Sequence, residues 1–431
     1  MKKIKQTLSG LRPYLLLWST QTLSALGSGM TSYALVLWLY LRTGSALQTA
    51  LLSICSYAPY VVMSVFAGAL SDRWNKKRTM LVCDLLAAAT TVAVLVLIRA
   101  DALLPWHLYA INAINGLMNT VQQPAGEVAA TLLIPQERYQ QTSGLRSLSQ
   151  SLNSILTPVL ATALFAFAGI GWVIAVDLAT FGMAFLTLWL LIPIPETGGR
   201  EKPKEKLLTS AREGLGWLRH NPLILTLILF LAAINLVASA YDAALPAMVL
   251  SKTGSETSLG MVNACVGLAT LAGSVLVTVL PAPKNRVRVI FLALLFSMST
   301  ENFILAFTDS PWAWCVGAVL GWVTIPVMNA NMDVIFRSTI PLDMQGRVYS
   351  CRNTLQFFTI PVGFLLGGAL TDQVFEPLMA AQLPDSLLPS LFGVGKGSGA
   401  AMLFAVIGVC GVLVCLVFGW ALRKYSWSEP A

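Results

Sequence analysis

The chain has 431 residues, 56% of them hydrophobic and only 11% charged, with a mean hydropathy of +0.71 and a formal net charge of +8. That much apolar surface exceeds what a water-soluble core can hide, which excludes an ordinary soluble enzyme or binding module and makes lipid the solvent. In a membrane protein basic residues set topology, so the positive charge calls for no nucleic-acid partner.

A spanning helix needs about 20 mostly apolar residues, because unpaired backbone groups are too costly in hydrocarbon. Twelve stretches qualify, near 13–40, 47–70, 80–98, 106–133, 146–168, 172–192, 222–249, 257–280, 289–307, 312–334, 348–370 and 400–422, and none has barrel-like alternation. The Met1-Lys-Lys-Ile-Lys5 start resembles a signal peptide, but the apolar run behind it is too long and lacks a small-residue cleavage site, so the N-terminus is expected to stay on the chain. Nearly all of the 28 Lys and Arg fall in alternate loops on the side of the N-terminus, which predicts that both termini are cytoplasmic. The seven cysteines lie in or at the ends of spans and suggest no disulfide framework.

Taken in chain order, the first span carries Gln21, Ser28 and Ser32 on one side. The loop after the second span reads Gly68-Ala-Leu70-Ser-Asp72-Arg73-Trp-Asn75-Lys76-Lys77-Arg78. Gly68 allows close helix approach, Asp72 can cap or pair with a neighbouring helix end, and the basic cluster can pair with an acid. A plain cytoplasmic loop accounts for the Lys and Arg but not for Gly68 and Asp72 at this spacing. The fourth span holds Asn112, Asn115, Asn119, Gln122, Gln123 and Glu127, which at 100° per residue share an arc of about 140°. Such a stripe cannot face lipid; helix-to-helix bonding is the plainer alternative to a transport pathway. The run from Pro193 to Pro222 carries the charged segment Glu201-Lys-Pro-Lys-Glu-Lys206 and a helix-like stretch, and it divides the spans six and six. The expected organisation is therefore a six-helix bundle over 1–192, a cytoplasmic linker with an amphipathic helix over 193–221, and a second bundle over 222–431.

The seventh span aligns Asn235, Ser239 and Asp242, and the tenth adds Thr324 and Asn331. The halves echo one another: Ile134-Pro135-Gln-Glu137 precedes a span with Thr157-Pro158, and Ile340-Pro341-Leu-Asp343 precedes one with Ile360-Pro361, as a parallel duplication requires. Six acids lie within spans: Asp84, Glu127, Asp177, Asp242, Glu301 and Asp333. The central stretches hold no Lys or Arg, which disfavours an anionic substrate and favours a neutral or cationic lipophilic one. Intramembrane acids suit proton coupling, with Asp242 the first candidate and Glu127 the second. No nucleotide-binding loop, metal cluster or catalytic triad is present, so neither an enzyme nor a cofactor is expected.

The loop at 68–78 resembles the signature loop of the major facilitator superfamily, with Asn75 standing where that pattern has Gly. Thr43-Gly-Ser-Ala46, Asp84-Leu-Leu86, Gln123-Pro124-Ala125, Leu133-Ile-Pro-Gln-Glu137, Ala175-Val-Asp177, Glu213-Gly214 and Gln345-Gly-Arg347-Val-Tyr-Ser350 are similar to the drug:proton antiporter branch that contains macrolide efflux proteins and siderophore exporters. The resemblance implies an all-α membrane fold of twelve transmembrane helices in two six-helix pseudo-symmetric bundles. It also implies export of lipophilic drugs in exchange for protons by a monomer in the bilayer, with spans 1, 4, 7 and 10 lining the pathway. On it, Gly68, Asp72, Arg73, Lys76, Lys77 and Arg78 form a conformational lock, and Gln21, Ser28, Asn112, Asn115, Asn119, Gln123, Asn235, Ser239 and Asn331 are cavity candidates. The fourth span has Asn112 or Asn115 where many antiporters carry an Arg. Uptake of a neutral nutrient and a membrane receptor or scaffold without flux are the competing expectations.

Overall fold

The computed structural model describes residues 12–134, 139–195, 207–281, 283–341 and 344–425; the side chains of 64–73, 139–144, 146–148, 207–211, 278, 345, 346 and 350 are not among them. All regular structure in the described residues is helical. The first half contains α1 (Arg12–Thr43), α2 (Ala46–Arg73), α3 (Lys76–Arg99), α4 (Pro105–Leu132), α5 (Tyr139–Ala168) and α6 (Ile170–Leu191). A short amphipathic helix, α7 (Leu207–His220), leads to α8 (Pro222–Thr253), α9 (Glu256–Val279), α10 (Arg286–Phe307), α11 (Pro311–Trp322), α12 (Ile325–Thr339), α13 (Gln345–Phe357), α14 (Thr359–Ala369), α15 (Glu376–Ala380), α16 (Leu387–Phe392) and α17 (Ser398–Leu422). Among the described residues, eleven helices or helix runs are long and apolar enough to cross a membrane. The remaining expected span is α4, whose 28 residues are long enough but whose row of amides depresses its hydropathy.

The expected tenth span is broken into α11 and α12. Pro326 has no N–H to continue the ladder, and Thr324 at the break donates instead to the Ala293 carbonyl at 3.0 Å. The eleventh runs on beyond its expected end: α13 and α14 continue through a π-helical stretch, Leu370–Phe375, into α15.

Two compact units emerge. Unit 1 is Met1–Trp38 with Cys55–Lys204; unit 2 is Leu39–Ile54 with Glu205–Ala431. The tip of the α1–α2 hairpin and the linker helix α7 thus pack with the second half.

In unit 1, Leu17, Met80, Ala125, Ala129, Leu188 and Ile192 join α1, α3, α4 and α6 in one buried cluster. Along the α1–α5 crossing, Trp18 donates to the Leu145 carbonyl (3.1 Å) and the Thr22 and Ser149 hydroxyls pair at 2.8 Å. Gly29 supplies the close approach there, since a side chain would meet Thr157 Oγ1 at 3.1 Å; the small residue sits on α1 rather than on α5.

In unit 2, α14 lies against α8 through Gly363 and Gly367, one turn apart. A β-carbon on Gly367 would stand 2.6 Å from the Ala240 carbonyl oxygen, so only glycine fits. The linker helix is held to α13: Glu213 pairs with Arg347 (2.5 Å), and a side chain on Gly214 would stand 2.7 Å from the Arg347 carbonyl oxygen. Both halves also start their third helix alike. Asn75 caps α3 by accepting from Arg78 N, and Asn285 caps α10 by accepting from Arg288 N, each at 3.0 Å.

Candidate functional site

Burying a charge is costly, so what each intramembrane acid touches separates structural from functional groups. Asp84, Asp177 and Glu301 accept hydrogen bonds from neighbouring helices. Asp84 on α3 is buried and accepts from Gln122 Nε2 of α4, with Gln21 of α1 beside it. Asp177 on α6 is buried and accepts from Ser28 of α1 at 2.9 Å. Glu301 on α10 is buried and takes two donors on one oxygen, Tyr241 of α8 (2.6 Å) and Trp322 of α11 (3.2 Å). Trp322 stands immediately before the break in the tenth span, and Gly321 leaves the room that Glu301 Oε2 fills. Nothing in the sequence pairs these residues; only the Pro326 break hints that the region is special.

The other three, Glu127, Asp242 and Asp333, have exposed side chains. Asp242 is about two-thirds of the way along the largely buried α8 and has no hydrogen-bond partner among the described residues. Its neighbours along the helix, Tyr241 and Ala243, are buried, while Ala238 and Pro246, one turn to either side, are half-buried. The open strip of α8 therefore has a carboxylate at its middle. A bare carboxylate is costly against hydrocarbon, which keeps Asp242 a candidate functional acid.

The polar residues of α4 divide into two sets. Asn119, Gln123 and Glu127 are exposed at i, i+4 and i+8. Asn115 accepts from Thr90 of α3 (2.9 Å), Gln122 serves Asp84, and Asn112 donates to the Leu108 carbonyl one turn back. On α8, Asn235 donates to the Gln356 carbonyl (3.0 Å), and the buried Ser239 donates to the Asn235 carbonyl (2.7 Å). Asn331 on α12 is buried and accepts from Arg286 at 3.0 Å. Gln21 is half-buried, and its amide nitrogen has no partner among the described residues. The exposed candidates are thus Asn119, Gln123, Glu127, Asp242 and, through a hydroxyl shared with Asp177, Ser28.

Of the signature loop, the side chains of Gly68, Asp72 and Arg73 lie outside the described residues. Lys76 is buried and donates to the Trp74 carbonyl at 3.2 Å, and the Arg78 amide completes the Asn75 cap. Lys77 donates to the Trp189 (3.0 Å) and Ile192 (2.8 Å) carbonyls, placing a cation on the negative end of α6.

A family model described as Major Facilitator Superfamily matches residues 17–248, more than half of the chain. The chain belongs to the Major Facilitator Superfamily. Within that superfamily, it is 23% identical over 363 residues to macrolide efflux protein A of Streptococcus pyogenes, covering 83% of this chain and 89% of that one. It is 25% identical over 420 residues to the enterobactin exporter EntS of Citrobacter koseri, covering 95% and 92%. Among solved structures, a bacterial homologue of the human lysosomal transporter Spinster superposes with a TM-score of 0.70 at 15% identity, over 97% of this chain and 98% of that one. Membership in this superfamily makes the chain a multi-pass membrane transporter, and the two curated relatives above are named as an efflux protein and an exporter.

Proposed function

We propose that this transporter exports a lipophilic neutral or cationic compound, macrolide-like in class, in exchange for protons by alternating access. It works as a monomer in the bacterial inner membrane with both termini cytoplasmic. The observation that carries the coupling is Asp242: an intramembrane carboxylate that is exposed, without a hydrogen-bond partner among the described residues, on a helix otherwise packed into its unit. Ionised, it attracts cationic cargo entering from the cytoplasm. A proton arriving from outside neutralises it, weakens cargo binding, and leaves on the cytoplasmic side when the site returns. The absence of Lys and Arg from the middle of the spans supports a cargo that is not anionic.

Accumulation of a labelled macrolide in cells with and without the protein tests this. Lower accumulation in the producing cells, restored by a protonophore, is the expected result; equal accumulation in both overturns the reading. A siderophore is the second reading, supported by likeness to an enterobactin exporter over 95% of the chain.

A further inference from the structure

The connection between the eleventh and twelfth spans, residues 381–397, has the composition of a buried segment rather than of a solvated loop. Its charged residues are Asp385 and Lys396, while Leu383, Leu387, Leu388, Leu391, Phe392 and Val394 are apolar. Four of those side chains point outward: Leu383, Leu387, Leu391 and Val394 are 77%, 73%, 43% and 68% exposed. A contiguous apolar cluster of this kind marks a surface that something apolar covers.

The short helix α16 is held so that this face cannot turn inward. Pro389 and Phe392 are buried on its other side, and the Phe392 ring stacks on Phe307 at the end of α10, with centroids 5.6 Å apart. The Phe392 carbonyl accepts from Lys252 Nζ of α8 at 2.9 Å, which puts a cation on the negative end of α16. Lys252 also pairs with Asp309 in the turn after α10. Gly393 then ends the helix at a φ of +83°, and a β-carbon there would stand 2.9 Å from Asp309 Oδ2. With one side of α16 fixed in this way, Leu387 and Leu391, about 40° apart at helical spacing, are left on the outward side.

The occupant follows from what this face continues. Along α10, Leu292, Phe296 and Phe307 are exposed, and Phe303 stacks on Phe307 with centroids 6.3 Å apart. The hydroxyls of Ser299 and Thr300 turn back onto the Phe296 carbonyl (3.2 and 2.8 Å), so the stripe stays apolar. On a spanning helix such a stripe faces lipid. The Phe303–Phe307–Phe392 stack carries it from α10 onto α16, where Leu391 and Leu387 extend it. The polar end of the same short helix meets the Lys252–Asp309 pair, whose charges belong near water. Trp312, exposed in the first turn of α11 three residues after Asp309, has the amphipathic ring that gathers at membrane interfaces. We infer that residues 381–394 are an interfacial membrane element: α16 lies in the leaflet where α17 begins, with Leu387 and Leu391 among phospholipid acyl chains and the Lys252–Asp309 pair toward the headgroups. It thereby ties the ends of α8 and α10 to that leaflet, whatever the cargo or coupling ion.

The test uses the full-length chain with its natural cysteines replaced, reconstituted in vesicles of phosphatidylethanolamine and phosphatidylglycerol. Nitroxides are attached in turn to Leu387→Cys, Leu391→Cys and the exposed Asp385→Cys. Their relaxation by oxygen, which concentrates in lipid, is compared with relaxation by a water-soluble nickel chelate. The ratio of oxygen to nickel relaxation at positions 387 and 391 is expected to exceed that at 385 about tenfold or more, because a hydrophilic chelate is excluded from hydrocarbon. Ratios equal to that at 385 mean a water-facing loop and overturn the inference. Protection from both reagents means that a second copy of the chain covers the face, and overturns it equally. If the cysteine-replaced protein does not reach the membrane, hydroxyl-radical footprinting of the natural chain in the same vesicles decides. Leu387 and Leu391 should then be oxidised about tenfold less than in the free peptide, since the radical is confined to water, and equal oxidation overturns the inference.

Discussion

Among individual side chains, acids and amides inside the spans are legible because lipid makes them conspicuous. Their partners are not. The arc on α4 identifies residues sharing a broad face but cannot tell which end of that face meets α3; Asn115 and Gln122 turn to Thr90 and Asp84, while Asn119 and Gln123 remain exposed. Cysteines at Asn119 and Gln123 are therefore expected to react with hydrophilic thiol reagents much faster than one at Asn115, and equal rates would contradict the division. The Tyr241–Glu301–Trp322 set is invisible in sequence because its members come from three helices. Tyr241→Phe leaves the buried Glu301 with one donor fewer, and it should lower stability by about 1–3 kcal/mol. An unchanged thermal midpoint in detergent would show that this bond contributes nothing.

For whole helices, hydropathy finds the spans and misses their interruptions. The break between α11 and α12 has a sequence signal in Pro326, whereas the π-helical stretch at Leu370–Phe375 has none, because a one-residue change in backbone pairing leaves no periodic trace. Asn75 looks like a departure from the family pattern; the fold makes it a helix cap, repeated at Asn285 three residues before an Arg in both halves. Asn75→Ala should accordingly cost about 1 kcal/mol in thermal stability and Asn75→Gly only a few tenths. Equal losses for the two would remove the capping role. Lys77→Ala removes the two bonds that close the end of α6, so its thermal midpoint should also fall.

As a whole molecule, the chain is legible as an α-helical membrane transporter from composition, span count and one loop, because these report how the polypeptide meets lipid. The compact units do not follow the sequence halves, since residues 39–54 join unit 2 through tertiary bonds that no hydropathy profile contains. The proposal that Asp242 exchanges its proton with the gradient is tested most directly in reconstituted full-length protein. Proteoliposomes bearing the wild type, given an imposed pH gradient, are expected to move labelled macrolide uphill. Asp242→Asn is expected to lose that uphill movement and keep downhill exchange. Uphill transport by Asp242→Asn at wild-type strength would contradict the coupling role and move the search to Glu127.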